Sequence, residues 1–254
     1  MSAMSISVFS QPAIVGFFDA DPALRLAPTA YWRIFQNAAA GHASLLSAAT
    51  EELRKSGQTW MLSQMRLEVS RHPRLGDSIV VETWPSTRIK GARAYRDYVL
   101  KSERGEVLAR GASLWVIVDL ATRRPVRIPD SLAALSVDPG YEIPALTGAL
   151  AMPTGEASSA HFRAVWSDAD QNEHVNNVAL LRWSVDALPL QFLERSVLVS
   201  AEAQYRAEVS VGEQVQVKTS LADNTATQSI HSGERLVGLV CSRWRSLDAP
   251  PVAP

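Results

Sequence analysis

The stretch Ser167-Asp-Ala-Asp-Gln-Asn-Glu-His-Val-Asn-Asn177 decides the fold, because its opening is written twice in the chain. Phe18-Asp-Ala-Asp21 matches Ser167-Asp-Ala-Asp170, and each runs into a helical pattern. Two further matches follow in the same order. Leu75-Gly-Asp-Ser-Ile-Val-Val-Glu-Thr83 corresponds to Val211-Gly-Glu-Gln-Val-Gln-Val-Lys-Thr219, and Glu103-Arg-Gly-Glu-Val-Leu108 to His231-Ser-Gly-Glu-Arg-Leu236. A helix-plus-sheet unit repeated twice is the economical explanation. The offset between copies shrinks from 149 to 136 to 128 residues. The first copy therefore carries the extra length, part of it in a longer helical region.

Outward from the repeat, the elements follow periodicity. In the first copy a short strand is expected at residues 14 to 18. A long helix is expected from Thr29 to about 49, where Tyr31, Ile34, Phe35 and Ala38 fall at helical spacing in an Ala-rich stretch. A second short helix over residues 50 to 55 closes at Gly57. The period then becomes two, over residues 60 to 69, 79 to 84, 93 to 101 and 107 to 119, with turns at Gly76-Asp77 and Glu103-Arg-Gly105. One long helix followed by antiparallel strands is an α+β unit. Residues 131 to 160, rich in Pro, Gly, Ala and Ser, read as a linker between units at 12–130 and 161–246. In the second unit Val178-Ala-Leu-Leu-Arg-Trp-Ser-Val-Asp-Ala-Leu188 reads as a helix stopped by Pro189, with Asn176 or Asn177 as N-cap.

Composition narrows the class. The 254 residues are 46% hydrophobic and 20% charged, with a formal net charge of -1. These values describe a globular protein and argue against a nucleic-acid binder. One cysteine, Cys241, excludes an internal disulfide and fits a reducing compartment. Short, interrupted apolar runs predict no membrane span. The first ten residues lack the features of a secretory signal, so a cytoplasmic location is expected. Charge is uneven, however. Residues 60 to 130 hold thirteen Arg or Lys against eight Asp or Glu, a local net of +5. Arg88, Lys90, Arg93 and Arg96 fall within nine residues with no acidic residue among them, a patch suited to steering an acidic partner or to guarding a strand edge.

The polar residues of the opening stretch carry the chemistry. Asp170, Asn172 and His174 alternate, and in an extended segment positions i, i+2 and i+4 point to one side. The helix beyond offers unpaired N–H groups at its start, which makes Asn176 and Asn177 candidate substrate contacts. The first copy keeps Asp21 but has Ala23 and Arg25 in place of Asn172 and His174. A structural role would have appeared in both copies, so chemistry is expected in the second only. His42, on the first helix, reads as a packing or solvent histidine, and the tryptophans as packing. With no metal-ligand cluster, Gly-rich phosphate loop or dinucleotide motif, no metal and no cofactor are expected.

Six segments carry a family resemblance: Trp60-Met-Leu-Ser-Gln-Met-Arg66, Arg71-His-Pro-Arg-Leu-Gly-Asp77, Thr83-Trp-Pro85, Arg96-Asp-Tyr98, Ser113-Leu-Trp-Val-Ile-Val-Asp119 and the opening stretch itself. Over residues 12 to 245 the chain resembles the acyl-acyl carrier protein thioesterases of bacteria and plant plastids. The resemblance implies two tandem hotdog domains, each a long helix wrapped by an antiparallel sheet, with the acyl tunnel mainly in the first. It implies hydrolysis of fatty acyl thioesters on acyl carrier protein, and catalytic roles for Asp170, Asn172 and His174. The family's Tyr-Arg-x-Glu-Cys segment maps to Tyr205-Arg-Ala-Glu-Val209, which adds Glu208 and puts Val209 where the plant enzymes have cysteine. A thiol nucleophile is thereby removed. His72 aligns with Glu208 across the repeat.

The expected chemistry is activation of water by Glu208 or Asp170 with His174 assisting, Asn172 positioning the water or the acyl carbonyl, and helix N–H groups polarising that carbonyl. Direct attack by Asp170 is the other route. A coenzyme A thioesterase shares this chemistry, and a non-catalytic acyl-binding protein is a further alternative. An enoyl-thioester hydratase fits less well, because the proline of its Asp-x-Asn-Pro-x-His motif is missing. A chain with both hotdog units needs no partner subunit to pair them, so monomer and homodimer are both compatible.

Overall fold

Alternating residues that bury one face become strands, and apolar residues every third or fourth position become the helix laid on them. The computed structural model describes residues 7–155, 157–171 and 174–247, in two units that meet between Leu146 and Thr147. In the first unit the elements are β1 (Phe9–Ile14), α1 (Pro28–Leu45), α2 (Thr50–Arg54), β2 (Gln58–Val69), β3 (Ser78–Pro85), β4 (Arg93–Ser102), β5 (Val107–Asp119), β6 (Pro125–Val126) and α3 (Asp130–Ala133). The second holds β7 (Ser158–Arg163), α4 (Asn177–Asp186), α5 (Leu190–Glu194), β8 (Ser196–Tyr205), β9 (Gln214–Ala222), β10 (Thr225–Ser232) and β11 (Arg235–Ser246).

Strand order is the same in both: β1-β3-β4-β5-β2 in the first, with β6 on β5, and β7-β9-β10-β11-β8 in the second. Every one of these pairings is antiparallel. The repeat extends to single hydrogen bonds. Leu26 N donates to Pro73 O and Val175 N to Val209 O; Gly76 N donates to Val15 O and Gly212 N to Ala164 O. The duplicated motifs in the sequence are thus duplicated loops in space.

Each helix rests on its own sheet. Pro28 opens α1 at a position where its missing N–H costs nothing. The helix buries Tyr31, Trp32, Phe35, Ala38 and His42, and Phe35 stacks on Tyr98 of β4 with ring centroids 4.8 Å apart. Gly111 of β5 makes room for that ring, since a Cβ there would lie 2.7 Å from Phe35 Cε2. In the second unit α4 buries Leu180, Leu181 and Trp183, and Trp183 stacks on Phe162 at 6.2 Å. Gly238 of β11 lies under Leu180, where an added Cβ would come within 3.3 Å of Leu180 Cδ2.

Three expectations need correction. The first strand is Phe9–Ile14, not residues 14 to 18. In its unit it pairs only with β3, so as an edge strand it tolerates Pro12 and alternates weakly. The apolar run that suggested a strand turns out of the sheet instead: Phe17 and Phe18 sit in a 3-10 turn, 77% and 97% exposed. The long helix stops at Leu45, short of residue 49, because Ser47 takes a positive φ of 52°. The third concerns residues 131 to 160, read as a linker, which are fastened at several points. Val137 N donates to Pro85 O, Tyr141 stacks on Trp84, and Thr147 N and Oγ1 both donate to the Glu202 carboxylate. Among the described residues no helix is long and apolar enough to cross a membrane.

Candidate active site

The site is built on a loop that closes on itself. A 3-10 turn at Trp166–Asp168 precedes it, and Asp168 anchors it. The Asp168 side chain, 2% exposed, accepts from Arg182 Nη2 of α4 at 2.7 Å and from Val165 N at 2.9 Å. Asp170 N then donates to His174 O at 3.0 Å, and Ala169 bridges to Val175. Asp170 and His174 are therefore bonded backbone to backbone across the stretch that alternation suggested was extended. That bond brings Asp170 and His174 together. Asn172 lies outside the described residues.

His174 meets a carboxylate from a second loop. Glu208 Oε2 stands 3.2 Å from His174 Nε2, both side chains being a little over one third exposed. The two loops are stitched by Val175 N donating to Val209 O at 2.9 Å. Val209 is buried at 1%, so the position of the plant cysteine serves as core. Cys241 lies on β11 opposite Glu202 in the ladder, on another element from either loop.

Asn176 holds Asp170 and caps the helix at once. Its Oδ1 accepts from Val178 N at 2.8 Å, and its Nδ2 donates to Asp170 Oδ2 at 3.3 Å. One bond at each end of the amide makes Asn176 a support for Asp170 as well as the helix cap. Ala179 N is taken by Asn176 O. The N–H of Asn177, the first helical residue, is left without a partner among the described residues, where the positive end of the helix dipole adds to it.

The first unit repeats the scaffold without this chemistry. Asp19 pairs with Arg33 as Asp168 does with Arg182. Asp21, however, is occupied by Arg25, whose Nε donates to it at 2.9 Å and whose backbone N donates at 2.8 Å. His72 faces Tyr31 Oη at 3.1 Å, and burial pushes the Tyr31 hydroxyl far above its ordinary range.

The basic patch is smaller than the sequence suggested. Arg88 pairs with the buried carboxylate of Asp97, which the β3–β4 hairpin folds back against it; burial raises the Asp97 pKa, and Arg88 opposes that rise. Arg96 is half-buried and donates to His42 Nδ1 at 3.1 Å and Thr83 Oγ1 at 3.3 Å, with burial lowering its pKa. His42 is buried and stacks on Phe9. Only Lys90 and Arg93 of the four remain exposed.

The Asp168–Arg182 pair and the double use of Asn176 were not anticipated. The first left a trace in the sequence, since Asp19 and Arg33 stand at the same offset of 149.

A helix-on-sheet unit made twice, with His174 and Glu208 paired in the second copy where the first has Arg25 and His72, defines a duplicated α+β class with a candidate polar site in its second unit. The chain belongs to the acyl-ACP thioesterase family. Residues 7–135 match the acyl-ACP thioesterase N-terminal domain and residues 152–238 its C-terminal domain. It is 30% identical over 194 residues to a palmitoyl-acyl carrier protein thioesterase, chloroplastic, from Gossypium hirsutum, a match covering 73% of this chain and 47% of the relative. The chain thus spans about half the length of that curated relative. In fold it is similar to an acyl-ACP thioesterase from Bacteroides thetaiotaomicron, with TM-score 0.85, 20% identity and coverage of 96% of this chain and 100% of the other. It is likewise similar to the 12:0-ACP thioesterase from Umbellularia californica, with TM-score 0.81, 22% identity and coverage of 94% and 97%.

Proposed function

We propose that this chain hydrolyses fatty acyl thioesters carried on acyl carrier protein, that its two units are tandem hotdog domains, and that the chemistry resides in the second. The observation that carries the site is the His174–Glu208 pair at 3.2 Å, set beside a helix N-terminus and absent from the equivalent place in the first unit. Family membership supports the substrate class.

The reaction uses water as nucleophile. His174, oriented by Glu208, takes a proton from water as the oxygen attacks the thioester carbon. The imidazolium that forms is held by the adjacent carboxylate, following the logic of an acid–imidazole pair in acyl transfer. The carbonyl oxygen gains negative charge and is met by the Asn177 N–H. As the tetrahedral intermediate collapses, the carbon–sulfur bond breaks and His174 returns the proton to the departing thiolate. Free acid and thiol result. Asp170 is engaged by Asn176, which supports a positioning role for it over direct attack. Asn172 belongs to the same proposal through its place in the motif. Lys90 and Arg93, exposed at the β3–β4 hairpin, supply positive charge for an acidic carrier; Arg88 and Arg96 serve the interior of the first unit.

The test is thiol release from carrier-protein and coenzyme A thioesters over a range of chain lengths, with native protein and His174→Ala. The expected result is release that prefers the carrier-protein substrates and is lost in the variant. Preference for coenzyme A would reassign the handle, and no release from either would replace hydrolysis by acyl binding.

A further inference from the structure

We infer that Arg235, with Glu213 and Ser232, is a positioning device for Glu208; this rests on the catalytic assignment of Glu208 made above. Arg235 opens β11 and reaches across to the loop between β8 and β9. Its Nη1 donates to the Glu208 carbonyl at 2.5 Å, and its Nη2 binds Glu213 Oε2 at 2.7 Å. Ser232 Oγ donates to the same Glu213 carboxylate, which also accepts from Ser210 N at 3.1 Å.

These contacts leave the loop little freedom. Arg206 N and Ala207 N both donate to Val237 O, Val209 O accepts from Val175 N, and Ser210 N is held by Glu213. Glu208 stands in the middle of this run, and the carbonyl of Glu208 itself is what Arg235 takes. The guanidinium fork suits the task, because it spans two acceptors in fixed geometry where an ammonium would be a point charge. The Ser232 hydroxyl, with the Ser210 N–H and Arg235, holds the Glu213 carboxyl below its usual range, so the acceptor stays ionised.

Two observations separate this device from general scaffolding. Arg235 is 46% exposed and Glu213 28%, and exposed ion pairs contribute only about 0–1 kcal/mol to stability. It is also confined to one copy. Asp77, the counterpart of Glu213, keeps the backbone bond, accepting from Arg74 N at 2.8 Å. The turn opposite it supplies Arg104 and Val107 where the second unit has Ser232 and Arg235. There the loop is tied by Arg71 to Glu106, an exposed pair running in the opposite sense. The Asp–Arg anchor common to both copies is architecture, whereas the Arg235 clamp accompanies His174 and Glu208.

The experiment is a double-mutant cycle on thioester hydrolysis with Arg235→Met, Glu208→Gln and the two combined, alongside Arg235→Lys. In the native background Arg235→Met should lower kcat about ten- to a hundredfold, because loss of about 1 Å of placement has effects of that order. KM should stay within about twofold, and Arg235→Lys should recover part of the loss. In the Glu208→Gln background the same change should do nothing further, since the residue being positioned is already disabled. An equal loss in both backgrounds, or no loss in the native one, would overturn the positioning role. A native rate in Glu208→Gln alone would instead remove the catalytic assignment beneath it, and the proposal would fall for that separate reason. Should Arg235→Met fail to fold, Glu213→Gln enters the cycle in its place with the same expected outcomes.

Discussion

The loops that open at Asp19 and at Asp168 are anchored and closed in the same way but used in two ways. In both, an aspartate accepts from an arginine one turn into the helix, and the loop closes through a short bridge. After the second aspartate they part. Arg25 neutralises Asp21 within the first loop, whereas His174 turns to a carboxylate from a different loop. What recurs holds the chain in place, and what differs is free to react. The comparison thereby separates stability from activity position by position.

The largest effect expected from breaking it is on rate. His174→Ala or Glu208→Gln should lower kcat for thioester hydrolysis by about 10²–10⁴-fold, while Asp21→Ala or Arg25→Ala should leave it within about twofold in the same assay. If the first-unit changes are as damaging as the second, the division of labour is mistaken. Next come the glycines under the helices. Gly111→Ala should destabilise by about 3 kcal/mol and Gly238→Ala by about 1 kcal/mol, because the first forces a Cβ to 2.7 Å from an aromatic ring and the second only to 3.2 Å from a carbonyl. Thermal or denaturant unfolding would rank them, and a reversed order would contradict the packing described.

The shared anchor should give a smaller, paired effect. Asp168→Asn is expected to cost about 2 kcal/mol and Asp19→Asn about 1 kcal/mol, since the first carboxylate is 2% exposed and the second 18%. Urea unfolding of each variant checks both values. The smallest effect is present at neutral pH and lost in acid. Hydrogen bonding from Ser232 depresses the folded pKa of Glu213. Its contribution is therefore complete above the unfolded carboxyl pKa of about 4.3 and disappears as pH falls through the lower folded value. Ser232→Ala should be destabilised relative to native protein at pH 7, with the gap closing as the carboxyl is protonated. A gap that persists unchanged at low pH would point to packing instead.

The duplicated architecture was legible because its signals are local. Glycine turns, the Asp-Ala-Asp pair and period-two strands repeat in order, and the helix on Tyr31 and Phe35 declares its period. β1 was misplaced because an edge strand buries little and leaves a weak alternation, while the stronger apolar run at Phe17-Phe18 lies in solvent. Within the site, the residue types were visible but their geometry was not. Alternation placed Asp170 and His174 side by side only by assuming an extended chain; their observed placement depends on bonds to α4 and to the Glu208 loop. The basic patch misled for the same reason. Asp97, one residue beyond Arg96, meets Arg88 only once the hairpin has folded, so charge counted along the chain overstated charge on the surface. Arg235 gave no local signal at all, since its acceptors lie on a loop that the strand order brings to it.

The glycine beneath Phe35 binds two positions into one inherited unit. A methyl at residue 111 and a ring at residue 35 claim the same volume, so neither can drift without the other. Among related sequences a side chain at position 111 should arrive together with a smaller residue at 35, and the two should covary although the chain separates them by the whole of β2, β3 and β4.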